Sequence, residues 1–96
     1  MVTKNRIELP STIDGAVRVM LGLVPEEEQA RIAYMSEGDL PELHLGLGQW
    51  VRNHLSLWGE NSALMAATGE GNADDASAEI VKAFWDELRR ELPKVH

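Results

Sequence analysis

Residues 42–61 read ELHLGLGQWVRNHLSLWGEN, and this stretch decides the fold predicted for the chain. Its apolar side chains recur at steps of three and four residues, which places them on one side of a helix. Further leucines widen the stripe, and a helix that is apolar over so much of its circumference is typical of the centre of a bundle. The pattern predicts a central helix over residues 40–57. The stripe consists of Leu40, Leu43, Leu47, Trp50, Val51 and Trp58.

Start and stop signals bracket this predicted helix. Asp39 is placed to cap its N-terminus, Pro41 falls in the first turn, where no intrahelical N–H is needed, and Glu42 completes a capping box with Asp39. Gly59 is a natural stop.

Two glycines, Gly46 and Gly48, interrupt the apolar pattern. A glycine inside a helix costs about 1 kcal/mol relative to alanine, so each requires a reason. We expect close approach by another helix; the alternative is a bare patch for the backbone or phosphate of a ligand. The two lie within a helix and not between a strand and a helix, so they are not a dinucleotide-binding fingerprint.

Amphipathic patterns predict three more principal helices, over residues 12–22, 26–35 and 75–91, with a short helical turn near residues 61–66. Residues 1–10 are expected to be extended and peripheral, because Pro10 disfavours an early helix. The sequence therefore predicts an all-α fold. It is a compact bundle of about four helices in a single domain, residues 1–96, with one long loop before the last helix.

The starts of these helices carry capping residues. Ser11 is expected to cap the first helix, and Pro25 opens the second. Asp74 or Asp75 is expected to cap the last helix.

The charge of the chain limits its partners. Sixteen acidic and nine basic residues give a net charge of −7, which argues against duplex nucleic acid or an anionic membrane as partner. Residues 26–42 hold six acids and one base, and residues 70–79 hold four acids and no base. These patches fit a partner with a basic surface, or serve only to keep a small protein soluble.

The absence of cysteine excludes disulfides, thiolate catalysis and zinc–thiolate sites. It fits a reducing cytoplasm, which is the expected location. The N-terminus has no apolar region typical of a signal peptide, and no apolar run approaches the length that spans a bilayer.

The sequence offers no catalytic, cofactor-binding or metal-ligating residue, and no cofactor is expected. His44 and His54 are ten residues apart on the predicted helix. A separation of about 15 Å along the axis prevents them from sharing a metal. We expect His44 to be half-buried. The serines lack a nucleophile-elbow setting.

One polar set remains without an assigned role. A guanidinium buried in the apolar central helix needs a carboxylate, and Asp74 with Asp75 is the best candidate partner for Arg52. We expect this pair to be a structural clamp between the central and last helices; a ligand or partner site is the alternative. We expect Trp50, Trp58 and Trp85 to be core or half-core aromatic residues; one that is exposed instead becomes an interface anchor. The set consists of Arg52, Asn53, Trp58, Asn61, Asp74 and Asp75.

The order of these motifs resembles a family of small bacterial helical proteins known only as a domain of unknown function. LPSTIDGAV, then LHLGLGQWVRNHLSLW, GEN and finally DDAS follow the family pattern over about residues 9–92. Pro41 departs from it, since a helix former is expected there. The resemblance implies a compact helical fold and a bacterial source, and no activity. Its most specific positions are Gly46, Gly48, Arg52, Asn53, Leu57, Trp58, Asn61 and residues 74–77.

Two classes of function fit the sequence. The first is a non-enzymatic protein-interaction module that presents an acidic face to a basic partner, as an immunity or antitoxin-like protein does. The second is a small-molecule-binding protein, or a small enzyme, with its site near Arg52, Trp58 and Asp74. Three tryptophans and four methionines also leave room for a homodimer.

Overall fold

The computed structural model describes residues 9–59 and 61–91, and all regular structure in this part of the chain is helical. The all-α fold is therefore confirmed, with five α-helices among the described residues where about four were predicted. These are α1 (Ile13–Leu23), α2 (Glu26–Ala33), α3 (Gln49–His54), α4 (Ser62–Thr68) and α5 (Ala73–Arg90). A 3₁₀-helix, Glu37–Leu43, and a π-helix, His44–Gly48, precede α3.

The helix at the centre of the bundle is α5. It contacts each of the other four α-helices and both non-α segments. Eight of its residues are buried, and Ile80 and Phe84 are completely inaccessible to solvent. Burying one such side chain contributes about 1.5–3 kcal/mol. The expectation that residues 40–57 form the central helix was wrong, because the longest apolar stripe that meets every neighbour is on α5.

The stretch 37–54 is helical throughout but changes geometry twice. It is wound as a 3₁₀-helix to Leu43, as a π-helix to Gly48 and as an α-helix only to His54. Pro41 lies inside the 3₁₀-helix, where its missing N–H removes one bond from the regular α-helical ladder. The single α-helix predicted over 40–57 is therefore replaced by three short segments in series.

Both predicted ends of that helix were also wrong. The carboxylate of Asp39 accepts hydrogen bonds from the backbone N–H and the hydroxyl of Ser36, so the segment begins two residues before Asp39. At the other end, Ser56 has a left-handed backbone, with φ of 57°, and the Leu57 N–H reaches back to the carbonyl of Arg52 at 3.0 Å. This Schellman arrangement stops α3 before Gly59 is reached.

Two helix caps differ from those expected, by one to three residues. Thr12, and not Ser11, caps α1, where its Oγ1 accepts from the Gly15 N–H at 3.0 Å. Asn72 caps α5 by accepting from the Asp75 N–H at 2.8 Å. Asp74 and Asp75 instead lie in the first turn, where the helix dipole favours acidic residues.

The predicted helical turn near residues 61–66 is α4, which divides the long connection before α5 into two short ones. Asn61 caps α4, and Gly69 ends it with a φ of 74°. Of the N-terminal segment predicted to be extended, residues 1–8 lie outside the described residues. No helix within 9–59 and 61–91 is long and apolar enough to cross a membrane.

The two glycines of the π-helix have different surroundings. A Cβ atom on Gly48 would lie 3.2 Å from Nη1 of Arg52, 3.4 Å from the Leu43 carbonyl oxygen and 3.7 Å from Oγ of Ser77 on α5. A Cβ atom on Gly46 would have nothing within 4 Å. The space at Gly48 is therefore limited mainly by Arg52 and the Leu43 carbonyl, with α5 at ordinary contact distance, whereas the space at Gly46 is open. The expected close approach by another helix accounts for neither glycine by itself.

Alanine substitutions at these two positions are expected to have opposite effects. Gly48→Ala pushes against Arg52 and should lower the free energy of unfolding by about 1–2 kcal/mol. Gly46→Ala adds a methyl group in open space and should raise it by up to about 1 kcal/mol. Urea unfolding of both variants beside the wild type provides the comparison. Equal effects of the two substitutions would contradict the assigned packing.

Candidate functional site

The buried guanidinium of Arg52 lies at the junction of α3, the π-helix and α5. Only 4% of the residue is exposed. Its Nη1 donates to Oγ of Ser77 at 2.9 Å, and its Nη2 donates to the carbonyl of His44 at 3.3 Å. A buried charge is tolerated when it is hydrogen-bonded in this way. Arg52 therefore ties the stretch before α3 to the side of α5.

The remaining nitrogen of Arg52 faces a carboxylate. Its Nε lies 3.5 Å from Oδ1 of Asp74, which is an ion-pair distance, although the geometry does not make a hydrogen bond. The Asp74 side chain is 59% exposed. The main-chain carbonyl of Asp74 accepts a hydrogen bond from the Ser77 hydroxyl at 2.9 Å. The structure thus brings Arg52 and Asp74 together with one member buried and the other in contact with water.

Asp75 does not take part in this arrangement. Its Oδ2 accepts from the side-chain amide of Asn72 at 3.0 Å, next to the cap of α5. Among the ion pairs of residues 9–59 and 61–91, the only one made by Arg52 is with Asp74. The carboxylate pair proposed as the partner of Arg52 therefore reduces to Asp74, because successive residues on a helix point in different directions.

Trp58 is 64% exposed, so the expectation that it packs in or beside the core was wrong; it follows the end of α3 and lies at the surface. Its indole N–H donates to Oδ1 of Asn53 at 2.8 Å. The guanidinium carbon of Arg52 lies 5.8 Å from the ring centroid, within the range of a cation–π contact. The indole is thus held from two sides although most of its surface faces solvent. We call Arg52, Asn53, Trp58 and Asp74 the Trp58 site.

Open grooves adjoin the exposed indole. One, of about 440 Å³, runs between Trp58 and the start of α5. The other, of about 390 Å³, is bordered by Asn53, Ser56, Trp58 and Gly59. The first groove is lined by Leu57, Trp58, Gly59, Ser62, Met65, Gly71, Asn72 and Ala73.

Asn61 belongs to the interior and not to this surface. It is 5% exposed, and its side-chain amide donates to the carbonyls of Pro10, at 2.9 Å, and Leu55, at 3.0 Å. Its Oδ1 accepts from the Leu64 N–H at 3.2 Å. Asn61 therefore joins three segments of backbone, and its side chain faces away from a prospective ligand.

The histidines occupy different surroundings. His44 is exposed, so the expectation that it is half-buried was wrong: its position on the π-helix turns it away from the core. His54 stacks on Trp50 with ring centroids 4.3 Å apart. In the part of the chain that the structure describes, no three His, Cys, Asp or Glu side chains converge as metal ligands would.

One further pocket among the described residues was not foreseen from the sequence. It has a volume of about 580 Å³ and lies between the 3₁₀-helix and α5. Gly48 and Ser77, which both approach the Arg52 guanidinium, are part of its lining. The sequence signal that could have revealed it is Pro41, because a departure from α-helical winding opens space beside α5.

Removing the Arg52 guanidinium should strongly destabilise the fold. We expect Arg52→Ala to lower the free energy of unfolding by about 3 kcal/mol, since it leaves the buried Ser77 hydroxyl without its donor and creates a cavity. Asp74→Ala removes only the exposed partner and should cost less than about 1 kcal/mol. Chemical unfolding measures both, with the exposed Arg31→Ala as control. An Arg52→Ala variant as stable as that control would disprove the clamp.

Asn61 and Asn72 provide a matched pair of helix caps. Asn72→Ala should cost about 1 kcal/mol, the usual effect of losing an exposed cap. Asn61→Ala also leaves the Leu55 and Pro10 carbonyls without their hydrogen-bond donor, so we expect the free energy of unfolding to fall by about 2–3 kcal/mol. Thermal unfolding of both variants measures the difference. Similar losses would show that the buried hydrogen bonds of Asn61 add little.

Comparison with known proteins gives one match. Neither the curated proteins nor the solved structures contain a chain that matches this one. A family model matches residues 9–88, which include every helix described above except the last two residues of α5. The expected resemblance is therefore confirmed: the chain belongs to the family described as a domain of unknown function, DUF6794.

Proposed function

We propose that this chain is a non-enzymatic interaction module that binds a protein with a basic surface, with Trp58 as the anchor. The observation that carries the proposal is an indole that is 64% exposed while its N–H is bonded to Asn53 and its ring lies 5.8 Å from the Arg52 guanidinium carbon. Large aromatic side chains dominate the binding energy of many protein interfaces. A module that already holds its anchor in position loses less conformational entropy when its partner binds.

The hydrogen bonding of Trp58 suits this role. Its N–H is already used by Asn53, so a partner can cover the indole without leaving a donor unsatisfied. The cation–π contact with Arg52 restrains the ring from a second direction. The open grooves on both sides provide space for partner side chains.

The charges near the Trp58 site favour a basic partner. Glu70, Asp74 and Asp75 lie in or next to the segment that lines the larger groove. Within the described residues, only Asp74 of these three is in an ion pair. Acidic groups at the edge of an interface accelerate association with a cationic surface and select against acidic partners.

A bacterial cytoplasm is the setting that fits this proposal, and an immunity or antitoxin-like role fits the size and acidity of the chain. The alternative, a small-molecule or enzyme site at Arg52, Trp58 and Asp74, has less support. Arg52 is buried, and its guanidinium is already hydrogen-bonded to Ser77 within the same chain. The grooves beside Trp58 are wide open, whereas a ligand site is usually concave with several converging polar groups.

Affinity capture with matched aromatic variants tests this function. The tagged wild type, Trp58→Ala and Tyr34→Ala are each incubated with a lysate of the native organism, and retained proteins are identified by mass spectrometry. Tyr34 directly follows α2 and is 73% exposed. Its substitution therefore controls for the loss of a surface aromatic residue. We expect one stoichiometric, basic partner with wild type and Tyr34→Ala but not with Trp58→Ala.

Calorimetry with the purified partner then gives magnitudes. Trp58→Ala should weaken binding by about 30-fold or more, the effect of a hot-spot residue. In stopped-flow mixing experiments, Glu70→Gln and Asp75→Asn should reduce the association rate mainly at low salt. Equal retention of the partner by Trp58→Ala would refute the anchor, and capture of no partner would favour the small-molecule alternative.

A further inference from the structure

A second candidate site lies on a different part of α5 from the Trp58 site. It is the 580 Å³ pocket between the 3₁₀-helix and α5, which we call the α5 pocket. Its volume falls within the range typical of small-molecule sites. It is lined by Glu37, Leu40, Pro41, Leu43, His44, Gly48, Ser77, Ala78, Glu79, Val81 and Lys82.

The interior of the α5 pocket is apolar. Leu40, Leu43 and Val81 contribute hydrocarbon to its walls, and Leu43 and Val81 are otherwise buried in the core. The one hydroxyl of the lining, on Ser77, already donates to the Asp74 carbonyl and accepts from Arg52. The part of a ligand that enters this space must therefore be hydrophobic.

The charged groups of the lining are net negative. Glu37 and Glu79 carry two negative charges, and Lys82 carries one positive charge. Lys82 Nζ lies 3.3 Å from Oε2 of Glu37, so this cation is already neutralised. Among the described residues Glu79 is in no ion pair, and its carboxylate is available to a ligand.

The carboxylates around Lys82 are a second indication that the charge at the pocket is negative. Its hydrogen bond with Glu37 and the charge of that carboxylate raise the pKa of Lys82 above its ordinary value, and the charges of Asp86 and Glu79 add to the effect. Three carboxylates, those of Glu37, Glu79 and Asp86, therefore act on this edge of the pocket against one ammonium group, which favours a cation over an anion as ligand.

We propose that the α5 pocket binds an organic cation, an amine or quaternary ammonium compound whose apolar body fills the space against Leu40, Leu43 and Val81. The cationic group lies at Glu79. The α5 pocket does not overlap the Trp58 site, because its lining contains none of the four residues of that site.

Three probes with the same apolar body test the proposal: octylammonium, octanol and octanoate, each kept below the concentration at which it self-associates. Binding is followed by chemical shifts of the protein methyl groups. We expect saturable binding of octylammonium, with shifts at Leu40, Leu43 and Val81. Octylammonium should bind about tenfold more tightly than octanoate, with octanol between them.

Substitutions at exposed positions of the pocket locate the site without disturbing the core. Ala78→Phe fills the space and should abolish binding of octylammonium, whereas Ala30→Phe, on the exposed surface of α2, should not change it. Glu79→Gln should weaken octylammonium about threefold and leave octanol unchanged. Trp58→Ala should have no effect.

Two kinds of result would contradict the proposed binding of an organic cation in the α5 pocket. Binding of octanoate as tight as that of octylammonium, or the absence of saturation, would overturn the proposal. Shifts confined to the residues around Trp58, or unchanged binding to a folded Ala78→Phe variant, would show that the α5 pocket is not the site. None of these results depends on whether Trp58 binds a protein partner.

Discussion

A single positive charge inside an apolar bundle constrains the middle of this structure. Arg52 is almost completely buried, and an unsatisfied guanidinium there would be prohibitively costly. Its hydrogen bonds to Ser77 and the His44 carbonyl fix the separation between α5 and the π-helix. Gly48 follows from the same requirement, because a side chain there would press on the guanidinium. Gly48 and Ser77 are thus both parts of the environment that accommodates this buried charge.

Both surfaces proposed to bind partners adjoin that charge. Arg52 contacts the exposed indole of Trp58, and its partner Ser77 and the adjacent Gly48 line the α5 pocket. A side chain held by hydrogen bonds and packing presents a rigid surface, which reduces the entropy lost on binding. Arg52 is therefore a positioning residue for both surfaces and need not contact a ligand itself.

Periodicity was sufficient to predict α1, α2 and α5 within a few residues, because each has a long apolar face of regular spacing. A separate argument, that a guanidinium buried in an apolar helix needs a carboxylate, indicated Asp74 with Asp75 as the partner of Arg52, and Asp74 is found 3.5 Å away. Hydrophobic periodicity could not distinguish 3₁₀- and π-helical turns from an α-helix over residues 37–48. The spacing of apolar residues that these helix types produce differs little over a few residues. That error hid the α5 pocket and misplaced His44, which the π-helix turns outward.

The measurement that tests this account most directly is an NMR spectrum of the arginine guanidinium groups. If Arg52 is held by Ser77 and His44, its Nη protons should be resolved separately, exchange slowly with water and show nuclear Overhauser contacts to Ser77 and the Trp58 ring. The exposed guanidiniums of Arg31 and Arg90 should exchange rapidly in the same spectrum. Averaged, rapidly exchanging Arg52 protons without those contacts would contradict the claim that this buried charge organises the fold and both proposed sites.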